Sequence, residues 1–167
     1  VSVVAPRPAS SDVTSFGIDG SAVRRWDGAA SVAAPPVGST RVYRNESLAS
    51  PPTITNKYAP GANQRIADDL QLVGGACNLV YYNLAVYTAG TSGISYNVHT
   101  ELWTGDPCLP GSTVIAGTAS YIPVPNDRTG RILEVTVNPA IPIPGTVWLA
   151  TTFLRSDFYW AVEGQAE

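Results

Sequence analysis

The chain reads as an all-β protein: a β-sandwich, of the jelly-roll type, with about eight strands and an extended N-terminal segment ahead of it. Three observations predict this. After Thr40, apolar and polar residues alternate with the two-residue period of a half-buried strand. Gly, Pro, Asn and Asp break that alternation at regular intervals, as turns do. No stretch longer than one turn carries the 3.6-residue period of an amphipathic helix.

The elements follow in order. Residues 1–40 are rich in Ala, Ser, Val and Pro and cannot bury a core alone. Two β-like pieces, Val1 to Ala5 and Asp12 to Ile18, and a third at Ala22 to Trp26 lead into a linker at Ala29 to Thr40. Residues 41–167 are expected to hold the sandwich. A short strand is expected at Arg41 to Arg44, then one at Arg65 to Val73 carrying Ile66, Leu70 and Leu72. Leu79 to Thr88 places Val80, Tyr82, Leu84 and Val86 on one face and Leu79, Tyr81, Asn83 and Tyr87 on the other. Ile94 to Trp103 points Ile94, Tyr96, Val98 and Leu102 inward, and Asn97, His99, Glu101 and Trp103 outward. Further strands are expected at Ser112 to Ile122 and at Arg131 to Asn138, the latter with Leu133, Val135 and Val137 inward. Thr146 to Leu154 is apolar on both faces, as a central or covered strand is, and Asp157 to Glu163 closes the set.

Composition narrows the setting. Charged residues are 14% of the chain, well under the roughly 25% of an average globular protein. With abundant Thr, Ser, Tyr, Gly and Pro, this texture points to a secreted or cell-surface protein. The net charge of −3 and the absence of a basic stripe argue against nucleic acid as a partner. No apolar run reaches the length of a membrane span. Methionine is absent even from position 1, which suggests a mature form after removal of a signal peptide. The two cysteines, Cys77 and Cys108, read as a disulfide of an exported chain, against the alternative of two separate thiols. Closing a loop of about 30 residues would contribute roughly 3–4 kcal/mol in the chain-entropy account.

The segment Arg65 to Leu72 (RIADDLQL) with the Gly74-Gly75 turn and Ala85-Val86-Tyr87 forms one part of a wider pattern. Leu102 to Gly111 (LWTGDPCLPG), Leu133 to Val137 and Val147 to Phe153 complete it. Together they resemble bacterial extracellular jelly-roll domains of large surface and exported proteins, often found ahead of a sorting tail of the PEP-CTERM type. The resemblance runs from about Val42 to Val162 and implies an exported surface protein without assigned biochemistry. The chain stops at Glu167 without such a tail and carries the 40-residue head, which favours attachment through its N-terminus.

The leading expectation is therefore a structural subunit that polymerises head-to-tail by donating its N-terminal segment to a neighbouring sandwich. Val1, Val3 and Val4, or Val13, Phe16 and Ile18, would supply the anchors. The alternative for the head is to fold back on its own domain. A carbohydrate-binding or adhesive module is the second reading of the whole. Its expected face combines Tyr81, Asn83 and Tyr87 with Asn97, His99, Glu101 and Trp103, rings and hydrogen-bonding groups that suit a sugar. Asp68 and Asp69, joined by Asp106, Asp127 or Asp157, are weak calcium candidates; carboxylates accepting backbone N–H bonds are the plainer reading. His99 and Glu101 share a strand face but lack a nucleophile's context, so no catalytic residue and no enzyme activity are expected. Asn45-Glu46-Ser47 is the one glycosylation sequon.

Overall fold

The computed structural model describes residues 61–163, the strands 13–16, 22–25 and 54–58, and Gly38. Among the described residues there are ten strands: β1 (Val13–Phe16), β2 (Ala22–Arg25), β3 (Ile54–Tyr58), β4 (Gln64–Gln71), β5 (Cys77–Thr88), β6 (Ser95–Trp103), β7 (Ser120–Pro125), β8 (Gly130–Ile143), β9 (Thr146–Phe153) and β10 (Phe158–Glu163). They form two antiparallel sheets, one ordered β1-β2-β8-β5-β10-β3 and the other β4-β9-β6-β7. No helix is found among the described residues, so none there is long and apolar enough to cross a membrane.

The core lies between the sheets because the period-two pattern places every second side chain there. From the four-stranded sheet come Val98, Leu102, Ile122, Val124, Val147 and Phe153; from the six-stranded sheet come Val86, Leu133, Val135 and Phe158. Each such side chain removed from water contributes about 1.5–3 kcal/mol before entropy is counted. The central position of β9, between β4 and β6, explains why Thr146–Phe153 is apolar on both faces.

Several strands differ from the sequence expectation. The pattern puts Leu79 outside and Val80 inside, but Leu79 is in the core. A register shift lies between Leu79, which pairs with Ile141, and Tyr81, which pairs with Thr136. The irregularity inverts the face of every residue on one side of it, and no local sequence signal marks it. The strand expected at Ser112 to Ile122 is shorter and later: Val114 makes one isolated bridge to Trp103, and β7 begins at Ser120. The strand expected to reach Val73 ends at Gln71, leaving Val73 79% exposed. Ile94, expected inward, precedes β6 and is exposed. The turn between β4 and β5 needs its two glycines. Gly74 and Gly75 hold φ of 91° and 81°, and a Cβ on Gly145 of the β8–β9 turn would sit 3.0 Å from the Gly75 Cα. The segments expected at Val1 to Ala5 and Arg41 to Arg44, and the sequon at Asn45, lie outside the described residues.

The two outer edges of the four-stranded sheet each carry a device against unwanted pairing. β7 presents Pro123 and Pro125, which have no N–H to offer another strand. On β4, Ile66 and Leu70 pack against the core, and Asp68 between them shares their inward side. An inward-pointing charge penalises any strand that would bury this edge. Asp68 itself stays exposed at the sheet edge, but partial desolvation against the core side, then the neighbouring charge of Asp69, raise its carboxyl above the ordinary value, while a backbone hydrogen bond partly offsets them. A raised carboxyl favours the folded state when protonated, so its contribution is present at low pH and lost as pH rises through the folded-state value. Asp68→Asn should therefore raise the urea midpoint at pH 7, with the gain vanishing at pH 3. An equal gain at both pH values would refute this assignment.

Candidate functional site

The outer face of the four-stranded sheet carries a connected set of polar and aromatic side chains. Strand register creates it: Arg65 on β4 and His99 on β6 both pair with Thr152 on β9, and His99 also pairs with Tyr121 on β7. One step along the strands, Glu101 lies opposite Ala150, which in turn lies opposite Ala67. The small residues leave room for Glu101 to lie across the sheet with its side chain only 7% exposed. Glu101 Oε1 accepts the Trp103 indole N–H at 3.0 Å and pairs with Arg65 Nη2 at 3.1 Å. Its other oxygen lies 3.4 Å from His99 Nε2. The Arg65 guanidinium sits 4.9 Å from the centre of the Trp103 ring, in cation–π contact. His99 stacks against Tyr121 with ring centres 4.3 Å apart and planes within 5°.

The electrostatics of the set are balanced. Burial lowers the His99 pKa, with Arg65 acting in the same direction and Glu101 against it. The imidazole is therefore neutral at pH 7. Arg65 and Glu101 cancel, so the face presents no net charge from these groups. A buried carboxylate needs such partners, since an unpaired one in this setting is strongly unfavourable.

The sugar face expected from the sequence is divided by the fold. β5 belongs to the six-stranded sheet and β6 to the four-stranded one, so Tyr81, Asn83 and Tyr87 cannot share a platform with Asn97 and Trp103. The β5 group is engaged elsewhere: Tyr81 donates to Glu134 at 3.1 Å, Asn83 donates to the Tyr81 hydroxyl at 3.1 Å, and Tyr87 packs on Tyr159. Trp103 is covered by Arg65. Among the described residues the exposed ring is Tyr121, 60% accessible, which the sequence does not single out. Arg65 and Tyr121 join the site only through strand pairing, a long-range fact that spacing along the chain does not carry.

The other candidate residues fall apart or are engaged. Asp68 and Asp69 point to opposite sides of β4. Asp127 holds Arg131 through both oxygens, at 2.8 and 2.6 Å, and Asp157 holds Arg155 and Asn126. Asp106 accepts the Cys108 backbone N–H. Among the described residues, no three acids, histidines or cysteines gather as metal ligands would. The expected Cys77–Cys108 bridge is replaced by two free thiols. Cys77 is half-buried at the start of β5 and packs against the core, while Cys108 is exposed in the β6–β7 connection. An even count of cysteines says nothing about whether the fold brings them together.

Of the expected assembly anchors, Val13 and Phe16 lie on β1, while Val1, Val3, Val4 and Ile18 lie outside the described residues. β1 pairs with β2, and β2 pairs with β8 of the same chain, Ala22 to Arg25 against Glu134 to Arg131. The head strands thus extend the six-stranded sheet of their own domain, the fold-back arrangement. No family model, curated protein or solved structure matches this chain.

Proposed function

We propose that this chain is a structural subunit of an extracellular assembly, joined to its neighbours by exchange of the β1–β2 hairpin at β8. The observation that carries this reading is how the hairpin is held. β8 is the longest of the described strands, at 14 residues, and the hairpin adds to it by a backbone ladder from Ala22 to Arg25. A ladder of main-chain bonds is tolerant of its source, so the same four residues of a neighbouring copy suit β8 equally. The linker of small residues and prolines at Ala29 to Thr40 has the composition of a spacer between hairpin and sandwich. The inward-facing Asp68 disfavours strand addition at the β4 edge of the four-stranded sheet, while β7 lies against β1 and β2. Exchange between two copies closes a dimer, and passing the hairpin onward opens a filament.

The sandwich itself is read as a jelly roll. The chain crosses between the two sheets at every connection from β4 to β10 except β6–β7, as a rolled-up antiparallel fold does. The low charge content and the resemblance to exported surface domains support an extracellular setting.

The test compares the full chain with one lacking residues 1–37, by light scattering and negative-stain microscopy over a range of concentrations. Dimers, larger oligomers or filaments are expected from the full chain alone. A synthetic peptide of residues 12–26 should bind the truncated chain and restore its thermal stability. A full chain that stays monomeric at every concentration would overturn the assembly reading, even if the peptide binds.

A further inference from the structure

We propose that the outer face of the four-stranded sheet beside Tyr121 is a binding site for a neutral hexopyranose unit of a polysaccharide. This site lies on the outer faces of β6 and β7, and its chemistry does not depend on the assembly reading. Four features carry it.

The first is the ring. Tyr121 stands on an edge strand, 60% exposed, with one face against His99 at 4.3 Å. The stack fixes the tilt of the phenol while more than half of the residue stays accessible. A pyranose carries a patch of C–H bonds on one side, and an aromatic face held at a fixed angle is its natural partner. A pre-set ring also lowers the ordering cost of binding.

The second is the polar surround. Asn97 is exposed on the same outward side of β6, two residues before His99, and Thr152 lies opposite His99 on β9. An amide and a hydroxyl offer both donors and acceptors, as ring hydroxyls require. An exposed aromatic ring among such groups fits a small polar ligand with one apolar side.

The third is charge. Arg65 and Glu101 are closed on one another at 3.1 Å and His99 is neutral at pH 7, so the face favours an uncharged sugar over a uronate or a sulfated one.

The fourth is support. Glu101 fixes Trp103 and Arg65 and lies beside His99, on which Tyr121 stacks, so the platform rests on paired strands rather than a loop.

Affinity electrophoresis of the full chain tests this, with β-glucan, mannan and xylan as neutral probes and polygalacturonate and alginate as acidic ones. Retardation by at least one neutral polysaccharide is expected, weakened tenfold or more by Tyr121→Ala and kept by Tyr121→Phe, because the ring and not the hydroxyl makes the contact. Thermal melts of both variants establish that the fold is intact. Failure of every neutral probe, binding confined to the acidic probes, or full binding by a folded Tyr121→Ala chain would each overturn the proposal.

Discussion

Asn126→Ala is expected to lower the unfolding free energy by about 2–3 kcal/mol, because two partly buried hydrogen bonds, one to a charged group, go with the buried side chain. Asn126 is 1% exposed and ties three connections together at one end of the sandwich. Its Oδ1 accepts the Gly90 N–H at 2.9 Å, from the loop after β5, and its Nδ2 donates to Asp157 Oδ2 at 2.7 Å, ahead of β10. The amide itself sits just past β7, where its backbone is paired with Ile94 and Gly93. Gly90 is required for the same reason: a Cβ there would overlap the Asn126 amide. Gly90→Ala should therefore cost a similar amount, by pushing that amide out of its place. The two changes act on one contact, so the double variant should lose clearly less than the sum of the single losses. Urea unfolding of the four chains reads this directly. Strict additivity would mean that the Gly90–Asn126 contact is not what holds the loops.

Phe153→Ala should cost more, about 3–5 kcal/mol, as large-to-small changes of buried aromatics do. Phe153 is fully buried on β9, whose neighbours Gln64 and Val98 place it between two strands of its sheet. Its ring lies 6.3 Å from that of Phe158, on the opposing sheet, so it joins the two layers as well as filling space. The matching control is Val73→Ala. Val73 looks like the end of a core strand in the sequence but is 79% exposed, so its removal should change stability by no more than about 0.5 kcal/mol. If Val73→Ala cost as much as Phe153→Ala, the end of β4 would be misplaced.

The alternation of apolar residues settles much of this protein without any tertiary information. Leu133, Val135 and Val137 face inward as their spacing requires, as do Val98 and Leu102. The doubly apolar run at Thr146–Phe153 marks a central strand, and the Gly74-Gly75 pair marks a turn. These features are local, since a pleated strand offers each residue only two directions. The pairing of strands is different, because it is decided by contacts between residues far apart in sequence. His99, Glu101 and Trp103 are legible as one strand face. That Arg65 would cap Trp103, and that Tyr121 would stack on His99, depends on β4, β9, β6 and β7 lying in that order. The same distinction separates Tyr81, Asn83 and Tyr87 from Asn97 and Trp103, which read as one site in the sequence and lie in different sheets. It leaves Cys77 and Cys108 as free thiols, and it moves Leu79 into the core through a register shift that period-two reasoning cannot contain. Periodicity thus marks most of the buried residues, while the order and register of the strands correct the rest and decide which exposed residues meet, and a binding face is made of the latter.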